Sequence, residues 1–479
     1  MKKYFSISRY CALAAAAALL LTVLSCGKQL ELAPENTLVD RDVFSSQGGA
    51  EQALAEAYYD LLTAAYSDAY MYGDYTTAEL LGVASDDIYR LGQATPTDYR
   101  VVGFWTNYFK AINTANNVIA KIPVYGQFDA AMEAQYVAEA KFVRAYAYLD
   151  LLKLFGDGAL TAKPDGLGLP LQLTPFEGYT TGQVVARATN AQVYAQIVKD
   201  LTDALPALPD KQANDLATRS RATKGGANAL LSRTYLYMRQ YSDAAAAAKA
   251  VIDKTDIYSL VADLRQLFPP DPSGTAQSFT PEHILALPVS QLVSSSTSVS
   301  YGPGFNYYFK RLYWINPDFI NGFESGDKRV SQLMYKGDTV YNYQPAYLAT
   351  YKFNNSNGRD NVPLIRLAEV MLTRAEALAR GSGINAESLS LLNPVRSRSV
   401  TSAVPYQAGD FGSGAALVDA IVRQRGYELA FEGQYRYDLI RTEQPLRNPD
   451  IAANRKVLPI PQSEIDISAG VIKQNTGYQ

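Results

Sequence analysis

Histidine, cysteine and blocks of basic residues are what this 479-residue chain has least of. The lone histidine, His283 in "TPEHIL", has no second His, no free Cys and no HExxH motif to work with. That removes the ligand sets of zinc enzymes and the Cys-His and Ser-His-Asp nucleophile systems, and His283 reads as structural. GxSxG and GxxxxGK[ST] are missing as well, so neither a nucleophile elbow nor a phosphate-cradling loop is expected. No run of Lys and Arg occurs, which argues against nucleic acid as a partner. The two cysteines are Cys11 and Cys26, too few and too close to the N-terminus to staple a large domain, so stability has to come from packing.

The N-terminus carries Lys2, Lys3 and Arg9 and then the apolar stretch "CALAAAAALLLTVLS". That run, of about 14 residues, falls short of the about 20 that a spanning helix needs, and reads as an export signal over 1–25. It ends in "VLSC", which resembles the lipobox of bacterial lipoproteins, where the cysteine, here Cys26, is lipidated and becomes the mature N-terminus. With the signal gone, 41 basic residues face 47 acids, a net of −6.

Tyrosine is abundant, 35 copies against 17 Phe and two Trp, and its flat face and hydroxyl suit both half-wet clefts and ordinary cores. Apolar residues recur at three-and-four spacing over 47–66, 103–122, 129–156, 182–205, 223–239 and 241–254, which predicts helices, with Gly156 as a C-cap and Pro206 and Pro209 as a stop. "LIRLAEVMLTRAEALARG" (364–381) predicts another. The stretch 226–253 places small residues at Ala229, Ala244 and Ala248, which resembles one tetratricopeptide helix-turn-helix unit. Between about 255 and 360 the chain is rich in Pro, Gly, Ser and Thr and reads as long loops with a few short strands; its many aromatics argue against disorder.

Carboxylate chemistry is the one catalytic option left, and "RQRGYELAFEGQYRYDLIR" (423–441) is where it would be sought. On a continuous helix Arg425 lies three before Glu428 and Arg436 four after Glu432, so each acid is expected to meet a cation. Such pairing depresses a carboxyl and makes it a poor general acid, and the segment reads as a structural tie. Adjacent Asp86 and Asp87 form the only other obvious acidic pair.

That same segment resembles a signature of the SusD/RagB family of glycan-capturing lipoproteins. "AEAKFVRAYAYLDLLKLFGDGAL" (138–160), "VPLIRLAEVMLTRAEAL" (362–378) and "VLPIPQSEI" (457–465) resemble three further landmarks, in the family's order. The resemblance implies a mostly α, SusD-like fold, a right-handed bundle of four tetratricopeptide-like helix pairs with a loop-rich, irregular second region: an N-terminal helical region with such units over 26–254, and a C-terminal region over 255–479 whose loop-rich 255–360 carries ligand contacts and which ends in closing helices. It also implies no catalysis; no cofactor and no metal-ligating residues are nominated. The expected protein is an outer-membrane, lipid-anchored glycan binder that delivers cargo to a SusC-like TonB-dependent barrel, with peptide capture of the RagB kind as the alternative and a helical glycoside hydrolase as a third reading. The implied site lies in loops after the first helices and in the aromatic segment before "GDKR" (Asp327 to Arg329), which nominates Asp87, Arg90, Tyr301, Tyr307 and Trp314 as ligand residues.

Overall fold

The computed structural model describes residues 40–65, 68–82, 87–176, 184–269, 278–288, 313–336, 348–353 and 360–478. Helices dominate. Helices α1 (Asp40–Phe44), α2 (Gln47–Ala65) and α3 (Asp68–Tyr75) lead to strand β1 (Leu80–Gly82) and the one-turn helix α4 (Asp87–Arg90). The two longest helices follow, α5 (Tyr99–Tyr125) and α6 (Ala130–Phe155); they pack on each other, with α2 against α5. Helix α5 starts four residues before the periodicity does because Asp98 caps it, its carboxylate accepting from the backbone N–H of Arg100 at 2.9 Å and of Val101 at 3.5 Å. Gly156 closes α6 as expected, donating to the Leu152 carbonyl.

Strands β2 (Leu167–Pro170) and β3 (Arg187–Thr189) form an antiparallel pair, and α7 (Asn190–Ala204) follows. The helix expected from 182 therefore begins later, where Thr189 and Gln192 close a capping box. Helices α8 (Asp215–Ser220), α9 (Lys224–Tyr237) and α10 (Tyr241–Ile252) come next. The pair α9 and α10 is the helix-turn-helix anticipated from the small residues; Ala229, Ala244 and Ala248 are all buried.

The second half contains β4 (His283–Leu287), β5 (Tyr313–Ile315), α11 (Pro317–Ile320), α12 (Lys328–Leu333), β6 (Met334–Lys336), β7 (Leu348–Thr350) and β8 (Val362–Arg366). It ends in α13 (Leu367–Ser382), α14 (Ala386–Ser399), α15 (Gly414–Glu428), α16 (Tyr435–Arg441) and α17 (Gln462–Ile467). The helix read from residue 364 starts at Leu367 instead, because Val362–Arg366 pairs with β4 and every residue of both strands is buried. A strand covered on both faces has no alternation, and its apolar run is indistinguishable from helix by pattern. One hydrophobic cluster includes side chains from Phe44 to Ile472.

The charged segment corrects one expectation. It is not one helix: α15 ends at Glu428, α16 begins at Tyr435, and Phe431 (φ 65°) and Gly433 (φ 71°) turn the chain between them. The break removes the helical register that would pair Glu432 with Arg436, while Arg425 and Glu428, still three apart on α15, each take other partners. Glu432 binds Lys352 at 2.6 Å and Arg366 at 2.8 Å instead, and Glu428 binds Arg366 and Arg398, each at 2.6 Å. Arg425 goes to Asp438 at 2.8 Å and Glu369 at 3.1 Å, while Arg436 donates to the Lys456 carbonyl and lies 4.6 Å from the Tyr72 ring centre. All these side chains are buried, Arg398 with 7% of its side chain exposed, so the segment does tie the fold together, through partners from distant elements.

Candidate ligand-binding face

Strands β1 and β5 join the chain just before Asp87 and Arg90 to the segment that contains Trp314. They pair antiparallel, Leu80 with Ile315, Leu81 with Trp314 and Gly82 with Tyr313. Alternation along β5 buries Tyr313 and Ile315 and leaves Trp314 half-buried on the other face. Tyr313, one of the aromatics of the loop-rich segment, is thus a core residue; its ring stacks on Tyr75 with centroids 5.3 Å apart. Asn316 extends the junction, its backbone N–H donating to the Glu79 carbonyl at 2.8 Å and its side-chain amide to Ala78 at 3.0 Å.

Five residues after β1 comes α4, which Asp87 opens and the half-buried Arg90 closes. Tyr89 between them is buried; its hydroxyl donates to Asp98, the cap of α5, and its ring meets those of Tyr72 and Tyr75 at 6.1 Å. The Arg100 guanidinium lies 5.3 Å from the Tyr89 ring centre and 5.4 Å from that of Tyr99. Tyr99 is 71% exposed, and Ile88 and Leu91 beside α4 are exposed too. A chain of rings thus runs from Tyr313 through Tyr75 and Tyr89 to Arg100 and the open face of Tyr99. Tyr99 was not nominated from the sequence; the available signal was Asp98 just before it, a capping residue that places Tyr99 at the first position of α5. Cys26, Tyr301 and Tyr307 lie outside the described residues, as does Asp86. "GDKR" is structural: Asp327 caps α12 and binds the buried Arg329 at 2.6 Å.

Four carboxylates of the charged core, Glu282, Glu369, Glu376 and Glu428, are held ionised and so are poor general acids. Burial alone would raise Glu369 and Glu376, but Arg233 and Arg425 pull the first, and Arg441 and Arg380 the second, down to about 2. Against the same burial, Arg398 and Arg366 hold Glu282 and Glu428 below the usual carboxylate range. Burial lowers His283 to about 4, so it is neutral, with Nδ1 accepting from the Thr280 backbone N–H at 3.1 Å. Glu79 moves the other way, raised by burial and by Asp74, but it is wholly enclosed. Among the described residues no group of three or more His, Cys, Asp or Glu side chains is placed to hold a metal ion, and no helix is long and apolar enough to cross a membrane.

Residues 34–236 match a SusD-like family model described as starch-binding and associating with the outer membrane, and residues 342–452 match the SusD family model. A SusD-like protein of Formosa agariphila is 25% identical over 96% of this chain and 98% of its own length. A SusD superfamily structure from Bacteroides thetaiotaomicron superposes with a TM-score of 0.76 at 26% identity, covering 90% of this chain and 99% of that one. One from Bacteroides fragilis gives 0.75 at 25% identity, with the same coverage. A laminarin-binding SusD-like protein, 23% identical over 90% of this chain and 99% of its own, has the same fold with a TM-score of 0.72. The two model matches together span about two thirds of the sequence and take in three of the four landmarks read from it, all but 457–465, and the chain belongs to the SusD family.

Proposed function

We propose that this protein is a non-catalytic glycan receptor of the cell surface, lipidated at Cys26, that hands oligosaccharides to a SusC-like TonB-dependent barrel in the outer membrane. The observation that carries the reading is the pair of aromatic rings that reach solvent, the half-buried Trp314 and the exposed Tyr99, connected through β1, β5, α4 and the intervening rings, in a family whose model is described as starch-binding. Sugar C–H faces pack on rings while hydroxyls take polar partners, and in this reading Asp87 and Arg90, with Tyr301 and Tyr307, are those partners. That a neighbour of the same fold is named for laminarin binding supports laminarin as a first ligand to try.

A glycan array followed by calorimetry tests this. Trp314→Ala and Tyr99→Ala are each expected to weaken binding by about 1–3 kcal/mol, the scale of losing one anchoring aromatic. Unchanged affinity with a lowered melting temperature would make Trp314 a packing residue and move the site. Release of reducing ends from the bound glycan would overturn the non-catalytic reading and return a hydrolase.

A further inference from the structure

A second concavity, of about 380 Å³, lies on α5 beyond Tyr99. Trp105, Phe109 and Asn113, four residues apart, line its floor along one helical face. Phe176 and Val185 stand on one side and Glu464 and Ile467 of α17 on the other. Among the described residues, thirteen large apolar side chains are exposed, and four of them, Phe176, Val184, Val185 and Ile467, line this one cleft. Exposed apolar side chains scattered singly need no explanation, but a cluster around a concavity marks an interaction site.

Its polar groups are few and asymmetric. The Asn113 carbonyl oxygen accepts the Phe176 backbone N–H at 2.7 Å, which fixes the amide and leaves its NH2 to donate. Lys110, the cation at the rim, is already engaged by Asp60 at 2.7 Å and Glu56 at 3.7 Å. Glu464 has no ion pair among the described residues; burial raises its carboxyl, and the Trp105 indole N–H opposes that rise. The cleft therefore offers an apolar slot with one acidic group beside it. Its aromatic floor is flanked by the aliphatic Val184, Val185 and Ile467, and its volume is near the low end of the roughly 300–1,000 Å³ of small-ligand sites.

We propose that this cleft seats a peptide segment presenting one apolar side chain next to a cationic group, the side chain lying between Phe109, Val185 and Ile467 and the cation pairing with Glu464. The proposal is independent of the glycan reading, since it concerns other residues and another ligand class.

NMR titration of the mature chain with four probes tests it: L-phenylalaninamide, which is cationic, neutral N-acetyl-L-phenylalaninamide, anionic phenylacetate, and maltotriose. The cationic amide should bind saturably and roughly tenfold more tightly than the neutral one, the scale of a charge-assisted over a neutral hydrogen bond, with phenylacetate weaker still. Glu464→Gln should erase most of the preference between the two amides, and Val185→Asp should abolish binding of the neutral one. Val185 and Ile467 are both exposed, so Ile467→Asp serves if Val185→Asp fails to fold. Absence of saturable binding, equal affinity for phenylacetate, a cation preference that survives Glu464→Gln, or tighter binding of maltotriose at these residues would each overturn the proposal.

Discussion

Arg366 is a guanidinium with 1% of its surface exposed, and its donors are met by Glu282, Glu428 and Glu432. Lys352 shares Glu432, with its ammonium also donating to the Glu428 and Ala430 carbonyls. A buried charge is tolerable only while its partners are in place. Glu432→Ala removes the carboxylate common to Lys352 and Arg366, and is expected to cost about 3–5 kcal/mol, whereas Glu432→Gln keeps the shape and should cost less. Denaturant unfolding measures both. Affinity for the glycan in the folded fraction should hardly change, because no residue of this network belongs to the Trp314 face; a large loss of affinity at unchanged stability would give the network a role in binding. The presence of ion pairs was legible in the residue types of 423–441, but the partners of Glu432 lie 66 and 80 residues earlier, at a distance that spacing along one helix does not report.

Helix α3 and the turn between α15 and α16 meet backbone to backbone. A Cβ added to Gly73 would stand 2.1 Å from the Gly433 carbonyl oxygen, and the Gly433 N–H donates to Asp74 at 2.8 Å. Since α3 leads directly into β1, this contact holds the strand on which Trp314 is paired. Gly73→Ala has to push two backbones apart, which is expected to cost at least about 1–3 kcal/mol, the usual scale of overpacking. With only two tryptophans in the chain, a Trp105→Phe background lets Trp314 emission report the β1–β5 junction, and Gly73→Ala should shift that emission toward longer wavelength as the strand loosens. An unchanged spectrum and melting temperature would show that the contact relaxes without disturbing the site.

For the molecule as a whole, buried ionisable groups set how stability depends on pH. His283 titrates at about 4 when folded against 6.5 ordinarily, so between those values the unfolded chain binds a proton that the folded chain refuses. Its contribution is complete above about 6.5 and is lost as pH falls toward about 4. Glu369 and Glu376, held at about 2 against an ordinary 4.5, give a second loss as pH falls from about 4.5 through about 2, with Glu282 and Glu428 acting in the same direction. Melting temperature should therefore decline in two stages across pH about 7, 5 and 3. His283→Gln, which keeps an acceptor for Thr280, should flatten the first stage alone; a first stage that persists in this variant would assign it to other groups.

Helix existence, the order of the family landmarks and the scarcity of histidine and cysteine are properties of the sequence by itself, because periodicity and residue inventory are local. Helix α6 and the pair α9 and α10 came out where the apolar spacing put them, while α5 and α7 shifted where a cap or a strand intervened. Only the tertiary structure decided the rest. It separated Tyr313 from Trp314, adjacent in sequence, into core and surface, because pairing with β1 turns alternate side chains to opposite faces. It placed Tyr99 in the open through its neighbours and gathered Phe176, Val185, Glu464 and Ile467 around α5 from segments hundreds of residues apart. Burial and charge pairing arise from contacts of that separation, and no local pattern encodes them.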